Sequence, residues 1–354
     1  MLAQTRFLKA FAAALVLAAS LAPQAFGQQK AAPAGRAVAW QNPGDIAARD
    51  LRYGPGSAEL APAAPFTFVK EDSAGESPKF QVRDARGVTW SVKLGVEAQA
   101  ETVCSRVLWA LGYFADEAYH LESAEVQSLP RLSRGQEFVA GNVVRGARFE
   151  PRRDGVERGD NWDWEQNPFA GTRELNGLKV LMVLLGNYDT SVRNNQIYAV
   201  QNAGGGEAEL RYVVSDVGAT LGKVGGLGGK RSKNSLADFA AAKFVTGVEN
   251  GIVRFDYSTK PKGLGFFASV FSPGYAKSQA KKERAMRSAP LEDARWIGSL
   301  LARLSDEQLR DAFRAAHYDA ATTEGYVKAL RGRIDQLTQL PAAAVAANQR
   351  ATGK

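Results

Sequence analysis

Residues 184–198, LLGNYDTSVRNNQIY, decide how the chain is to be read. The apolar run LKVLMVLLG (178–186) stops at Gly186. Asp189 follows, then Asn194 and Asn195, then the strand-like QIYAV. Asp, Asn and Gly are ordinary turn formers, and a turn is what these residues make when taken alone. One carboxylate and two amides at the end of a buried helix are also what a polar site needs. An Asp orients or accepts a hydroxyl proton, and an amide oxygen ligates a hard cation such as Mg²⁺. The five-residue spacing from Asp189 to Asn194 lets both side chains turn to one point. Asn195 is the competing amide.

Three more groups flank this stretch. In EDSAGESPKF (71–80) a small-residue loop joins two strand-like runs, and Lys79 stands at its exit. Ser73, Gly75 and Ser77 let backbone N–H groups come close to a polyanion; a plain hairpin is the alternative. In WSVKLG (90–95), Lys93 interrupts an apolar strand. It is either an edge lysine that blocks aggregation or a point charge for phosphate oxygens. Glu101 on the next helix is its expected acid, with Glu97 as the substitute. In VVSDVGATLG (213–222) a strand ends in Asp216 beside Gly218 and Gly222. That suits a divalent metal bridging phosphates, or a solvated turn. The order is Gly loop, strand Lys, helix Glu, Asp-x4-Asn, then strand-Asp-x-Gly. These are the parts that phosphoryl transfer from a nucleotide uses: positioned positive charge and an oriented hydroxyl.

On SAGESPKF, VKLG, ETVCSRVLWALGY, GNYDTSVRNN and SDVGATLG, residues 66–222 resemble the protein-kinase-like superfamily, nearest to HipA-type, phosphatidylinositol 3/4- and secretory-pathway kinases. The resemblance implies an α+β, two-lobed fold. A small antiparallel-sheet N-lobe with one helix would cover 66–152, and a mainly helical C-lobe 153–340. It implies ATP and Mg²⁺ in the cleft. Lys93 would contact the α/β-phosphates and Glu101 would hold it. Asp189 would be the catalytic aspartate, and Asn194 and Asp216 would bind the metal. Ser73, Gly75, Ser77 and Lys79 would line the phosphates. The sequence departs from the family at Thr190-Ser191, where Arg-His is usual, and at Val217, where Phe is usual. The implied reaction moves the ATP γ-phosphoryl group to a hydroxyl of a protein, glycan or lipid. The rival readings are an inactive kinase-like scaffold of the cell envelope, an adenylyltransferase, and an unrelated envelope protein whose polar residues only form turns.

The rest of the chain bounds these readings. Arg6 and Lys9 precede the apolar AFAAALVLAASLA, and Gly27 offers a cut, so residues 1–27 read as a signal peptide; a retained anchor is the alternative. The protein is expected to be exported, periplasmic or secreted, with about 327 residues after cleavage and no stable membrane span. Residues 28–65 are rich in Ala, Pro and Gly and read as a linker or an arm laid on the domain. Residues 341–354 read as a flexible tail. A net charge of +8 suits an anionic partner; no nucleic-acid partner is expected. The single cysteine, Cys104, precludes an internal disulfide, and it reads as a small buried apolar group. The two histidines, His120 and His317, lack zinc-ligand spacing, and neither HExxH nor GxSxG occurs. VGGLGGKRS (224–232) imitates a phosphate-binding loop but has Val224 and Arg231 where Gly and Ser/Thr belong. It reads instead as a basic, activation-loop-like segment. Its Lys223, Lys230, Arg231 and Lys233 either meet an acidic substrate or, as the preferred reading, are solvated.

Overall fold

Alternating apolar residues in FTFVKED, KFQVR and TWSVK form three consecutive antiparallel strands: β2 (Phe66–Asp72), β3 (Lys79–Arg83) and β4 (Thr89–Lys93). A computed structural model of the chain describes residues 35–73, 75–153, 155–201, 205–224, 231–257 and 273–342. The expected signal peptide, the start of the arm (28–34), half of the Gly-rich turn at 202–207, Lys230 with most of the VGGLGG run, and the tail beyond residue 342 lie outside the described residues.

After β4 comes α1 (Glu97–Ala110), then β5 (Tyr119–Gln127), β6 (Val139–Ala140) and β7 (Val143–Pro151). The sheet order is β4-β3-β2-β5-β7-β6, and β4 also pairs with β7. Five strands therefore close on themselves, which removes their edges. The sequence reading expected an antiparallel sheet, and the sheet departs from it at one pairing. β2 and β5 run parallel where Phe66 faces Val126, because the chain crosses over through β3, β4 and α1 before it returns. Phe66, Phe80, Val82, Trp90, Val92 and Phe149 point into the ring and form one buried cluster.

Helix α1 is buried on most of its circumference, and its Ala98, Ala100 and Ala110 allow close packing. Gly112 ends it with φ 90°; a side chain there would stand 2.1 Å from the Gln41 carbonyl oxygen. The neighbouring arm is part of the fold. β1 (Arg36–Val38) pairs parallel with β10 (Glu209–Val214), and Ile46 and Leu51 are fully buried.

The stretch 152–169, polar in composition, contains β8 (Val156–Asn161), and its Trp162 and Trp164 are buried. Strand β8 pairs with β9 (Asn195–Val200), giving a second sheet of order β1-β10-β9-β8. Helix α2 (Arg173–Leu184) carries the apolar run. The Thr172 hydroxyl caps its start, accepting from the Leu175 N–H, and Gly186 (φ 69°) ends it. α3 (Leu236–Ala241), β11 (Val245–Glu249), β12 (Ile252–Phe255), α4 (Pro273–Met286) and β13 (Ser288–Pro290) follow, with β11-β12-β13 as a third sheet.

Three helices follow β13: α5 (Leu291–Leu301), α6 (Asp306–Arg314) and α7 (Ala320–Thr338). Ser305 and Gln308 form the capping box that starts α6. From α7, Arg333 donates to the Leu184 and Phe239 carbonyl oxygens and lies flat on the Phe239 ring. A cation thus sits at the C-terminal end of α2, where the helix dipole favours it, directly under the 187–195 turn. Among the described residues no helix is long and apolar enough to cross a membrane.

Candidate active site

Lys93 is no edge lysine. Its strand is hydrogen-bonded on both sides, with Lys79 and Arg148 as its register partners, and the residue is 3% exposed. Its ammonium lies 2.8 Å from Glu101 Oε2, 2.8 Å from Glu97 Oε2 and 3.4 Å from Asp216 Oδ1. Glu97 and Glu101 are one turn apart on the same face of α1, so both reach one cation. The two candidate acids are both used. Burial would lower the Lys93 pKa; Glu101, then Asp216, outweigh it and hold the ammonium well above its usual range.

The two glutamates differ in what else holds them. Glu101 is fully buried between Lys93 and the Arg148 guanidinium, which is 2.8 Å from its Oε1. Complete burial pushes this carboxyl up, against the pull of Arg148 and then Lys93. With two cations each 2.8 Å away, it is the carboxylate that fits. Arg148 continues to Glu150 at 2.9 Å, and Glu150 to Arg158, so five alternating charges run Lys93–Glu101–Arg148–Glu150–Arg158. Glu97 sits at the open end. Burial acts to raise its carboxyl, but Lys93 and then a hydrogen bond from Lys233 prevail and bring it down to about 2. Ser77 also donates to Glu97, at 2.8 Å. A carboxyl lowered in the folded state contributes stability that is fully present above its ordinary value of 4.5 and is lost as the pH falls through about 2. Glu97→Gln should therefore flatten the fall in stability between those two pH values, as read by urea unfolding at a series of pH values.

The small-residue loop is only partly in the cluster. Ser77 is tied to it through Glu97. Lys79 shares a sheet face with Lys93 as its direct cross-strand partner. Ser73 and Gly75 are exposed, and Arg134 holds the loop from outside by donating to the Asp72, Gly75 and Glu76 carbonyl oxygens.

Asp189 accepts from Lys282 of α4, whose ammonium is 2.9 Å from Oδ1 and whose side chain is 13% exposed. The Asp189 N–H donates to Asn187 Oδ1. Asn194 joins the two halves of the site. Its Nδ2 donates to the Asp189 carbonyl oxygen at 2.9 Å, and its own carbonyl oxygen accepts from the N–H groups of Ser215 and Asp216. Asn195 turns away and donates to the Trp162 carbonyl oxygen, fully buried. Asp216 accepts from Gly218 N–H through Oδ1, and its side chain is 44% exposed. Gly218 is required there, because a Cβ would lie 2.8 Å from that of Glu97. Thr190, at one of the two departures from the family pattern, is buried, its hydroxyl 3.1 Å from Tyr257 Oη and its carbonyl oxygen accepting from Trp164.

Lys93, Glu101, Asn194 and Asp216 therefore converge, and Asp189 is joined to them through Asn194. Sequence reasoning missed Arg148, Glu150, Lys233 and Lys282. The signal for the first two was the alternation R-F-E in GARFEP, where Phe149 faces the ring core and the charges face α1. Lys233, read as solvated, grips Glu97, and Arg231 lies over the Tyr188 ring. The histidines, far apart in sequence, meet with Nδ1 atoms 3.1 Å apart. Cys104 is buried as expected, with its Sγ 3.2 Å from Thr220 Oγ1.

Among the described residues no group of three or more His, Cys, Asp or Glu forms a metal cage. The donors that fit a cation are the half-open Asp216 carboxylate and the Asn194 amide oxygen, whose NH₂ is already engaged. Two hard oxygens from the protein are what Mg²⁺ accepts when phosphates and water complete its octahedron. The donor set fits a magnesium–nucleotide and not a dedicated metal centre.

No protein-family model matches the chain, and no curated protein matches it. Two solved structures are similar in chain course. One is the Helicobacter pylori proinflammatory kinase CtkA, at 12% identity over 78% of this chain and 97% of that one, with TM-score 0.43. The other is the Golgi casein kinase with Mn/ADP bound, at 10% identity over 80% of this chain and 78% of that one, with TM-score 0.30. Both likenesses are distant, and the chemistry of the chain has to be argued from its own side chains.

Proposed function

We propose that the chain is a two-lobed kinase-like phosphotransferase, with lobes at 66–152 and 153–340 and Mg·ATP between them. The observation that carries this reading is the convergence of a buried lysine and its helix glutamate with a half-open aspartate 123 residues further along the chain from the lysine. Lys93 would hold the α/β-phosphates, and Glu101, fixed by Arg148, would keep its ammonium in place. Asp216 and Asn194 would hold the metal, which when bound neutralises charge developing on the phosphates. Glu97, at the open end, would yield its place beside Lys93 to the nucleotide. Asp189 would orient the acceptor hydroxyl and take its proton. As the hydroxyl oxygen bonds to the γ-phosphorus, the bond from that phosphorus to the bridging oxygen breaks and ADP leaves. A folded chain that shows no thermal shift with Mg·ATP, or the same shift in Lys93→Ala and Asp216→Ala, would sink the reading. Mass spectrometry of the incubated protein distinguishes an added phosphoryl from an adenylyl group. The acceptor is proposed to be a hydroxyl of a protein, glycan or lipid outside the cytoplasm, consistent with the signal-peptide reading of residues 1–27.

Lys282 brings a cation to Asp189, where the chain continues as Thr190-Ser191. Helix α4 is held by two flanking ion pairs, Lys281 with Asp163 and Arg284 with Glu165, so the ammonium is pre-positioned. Lys282→Ala should lower transfer by about 10- to 100-fold and leave the affinity for Mg·ATP nearly unchanged, as measured by single-turnover kinetics beside calorimetry.

A further inference from the structure

The far end of the charge chain opens into a cavity of about 370 Å³. Neither Lys93, Glu101, Asp189, Asn194 nor Asp216 lines it; Glu150 separates it from them. Its position follows from strand periodicity. Arg148 and Glu150 point to one face of β7, and Arg152 continues that alternation just beyond the strand. Across the gap, Arg158, Tyr198 and Arg211 are successive register partners on β8, β9 and β10 and share a face. Volume and mixed lining are those of a small-molecule pocket.

The lining has a definite chemistry. Phe114, Val200 and Val213 supply apolar wall. Two guanidinium groups stand over rings, Arg158 over Tyr198 at 5.3 Å and Arg211 over Phe114 at 5.0 Å, within the range of a cation–π contact. The acids are already engaged: Glu150 by Arg148 and Arg158, Glu117 by Arg153, and Asp116 by the Tyr198 hydroxyl. Burial, and then the nearness of Glu150, push the Asp116 carboxyl up to about 7. Arg152 also lines the cavity, and its Nε is buried with no hydrogen-bond partner. A guanidinium N–H without a protein partner is open to water or to an anion, and a carboxylate or phosphate makes the stronger bond.

We infer that this cavity is a binding site for a small organic anion, its apolar body against Phe114 and Val213 and its carboxylate or phosphate on Arg152. The inference stands apart from the phosphoryl-transfer reading, because it uses none of that site's residues. It gives the ion-pair chain a consequence: an anion that draws Arg158 from Glu150 changes the partner of Arg148, and through it the hold on Glu101. By linkage any such coupling works in both directions.

The test is calorimetric titration of the full chain with benzoate and with phenyl phosphate, as the two head-group arms. Each is repeated on Arg152→Ala, Arg152→Lys and Lys93→Ala, with circular dichroism to confirm folding. The expected result is saturable binding of at least one probe that weakens about tenfold or more in Arg152→Ala, recovers partly in Arg152→Lys, and persists in Lys93→Ala. Absence of saturable binding of either probe to the folded parent overturns the inference. So does binding that survives Arg152→Ala and is lost in Lys93→Ala, which would place the probe at the other site.

Discussion

Asp189→Asn is expected to bind Mg·ATP as the parent does and to transfer phosphoryl groups about 10³-fold more slowly, the loss that removing a positioned general base typically causes. The carboxylate is bonded to the Lys282 ammonium, whereas Asn194 is held through the main-chain carbonyl oxygen of Asp189, so nucleotide contacts survive neutralisation of the carboxylate. The ion pair with Lys282 is 41% exposed on the Asp189 side chain, and losing it should cost no more than about 1 kcal/mol of stability. A rate collapse with intact affinity separates this role from that of a turn former, for which neither quantity would change. A parallel loss of affinity would assign Asp189 to nucleotide or metal binding instead.

Glu101→Gln should act on stability first. The carboxylate is fully buried between an ammonium and a guanidinium, and its removal leaves two desolvated cations short of a partner. Breaking a buried pair in this way costs about 3–5 kcal/mol. The value should fall at the lower end, because Lys93 keeps Glu97 and Asp216 and Arg148 keeps Glu150. That is still a large fraction of the stability of a typical domain, about 5–15 kcal/mol, and a chemical denaturation midpoint would register it. Glu97→Gln, at the more open end of the same ammonium, should cost less at neutral pH, because Lys93 keeps Glu101 and Arg148 keeps both its acids. Equal costs would mean that the two glutamates are interchangeable, against their different burial.

How much of this was legible in the sequence follows from where each residue sits. Lys93, Glu101, Asp189, Asn194 and Asp216 were legible because each stands at a break in apolar periodicity: inside a strand, one turn into a helix, after a helix end, at a strand end. Arg148 and Glu150 were not, since charges alternating with apolar residues on a strand also describe a solvated face. Only the packing of α1 against β7 shows that theirs is covered. Lys282 lies in QAKKERA, which reads as a solvated helix face, and its partner is 93 residues away. Strand β8, VERGDN, has no apolar alternation at all; β9 recruits it through backbone hydrogen bonds. Ile46 and Leu51 are isolated apolar residues in a Pro- and Gly-rich arm, and their burial depends on a core assembled elsewhere.

The central claim is that side chains distant along the polypeptide build one magnesium–nucleotide site around Lys93 and Asp216. Isothermal titration of the full chain with a non-hydrolysable ATP analogue and Mg²⁺ tests it directly. One saturable site, lost in Asp216→Ala and in Lys93→Ala and absent without the metal, is the predicted result. No heat of binding from the folded parent, or a site indifferent to both substitutions, would contradict it.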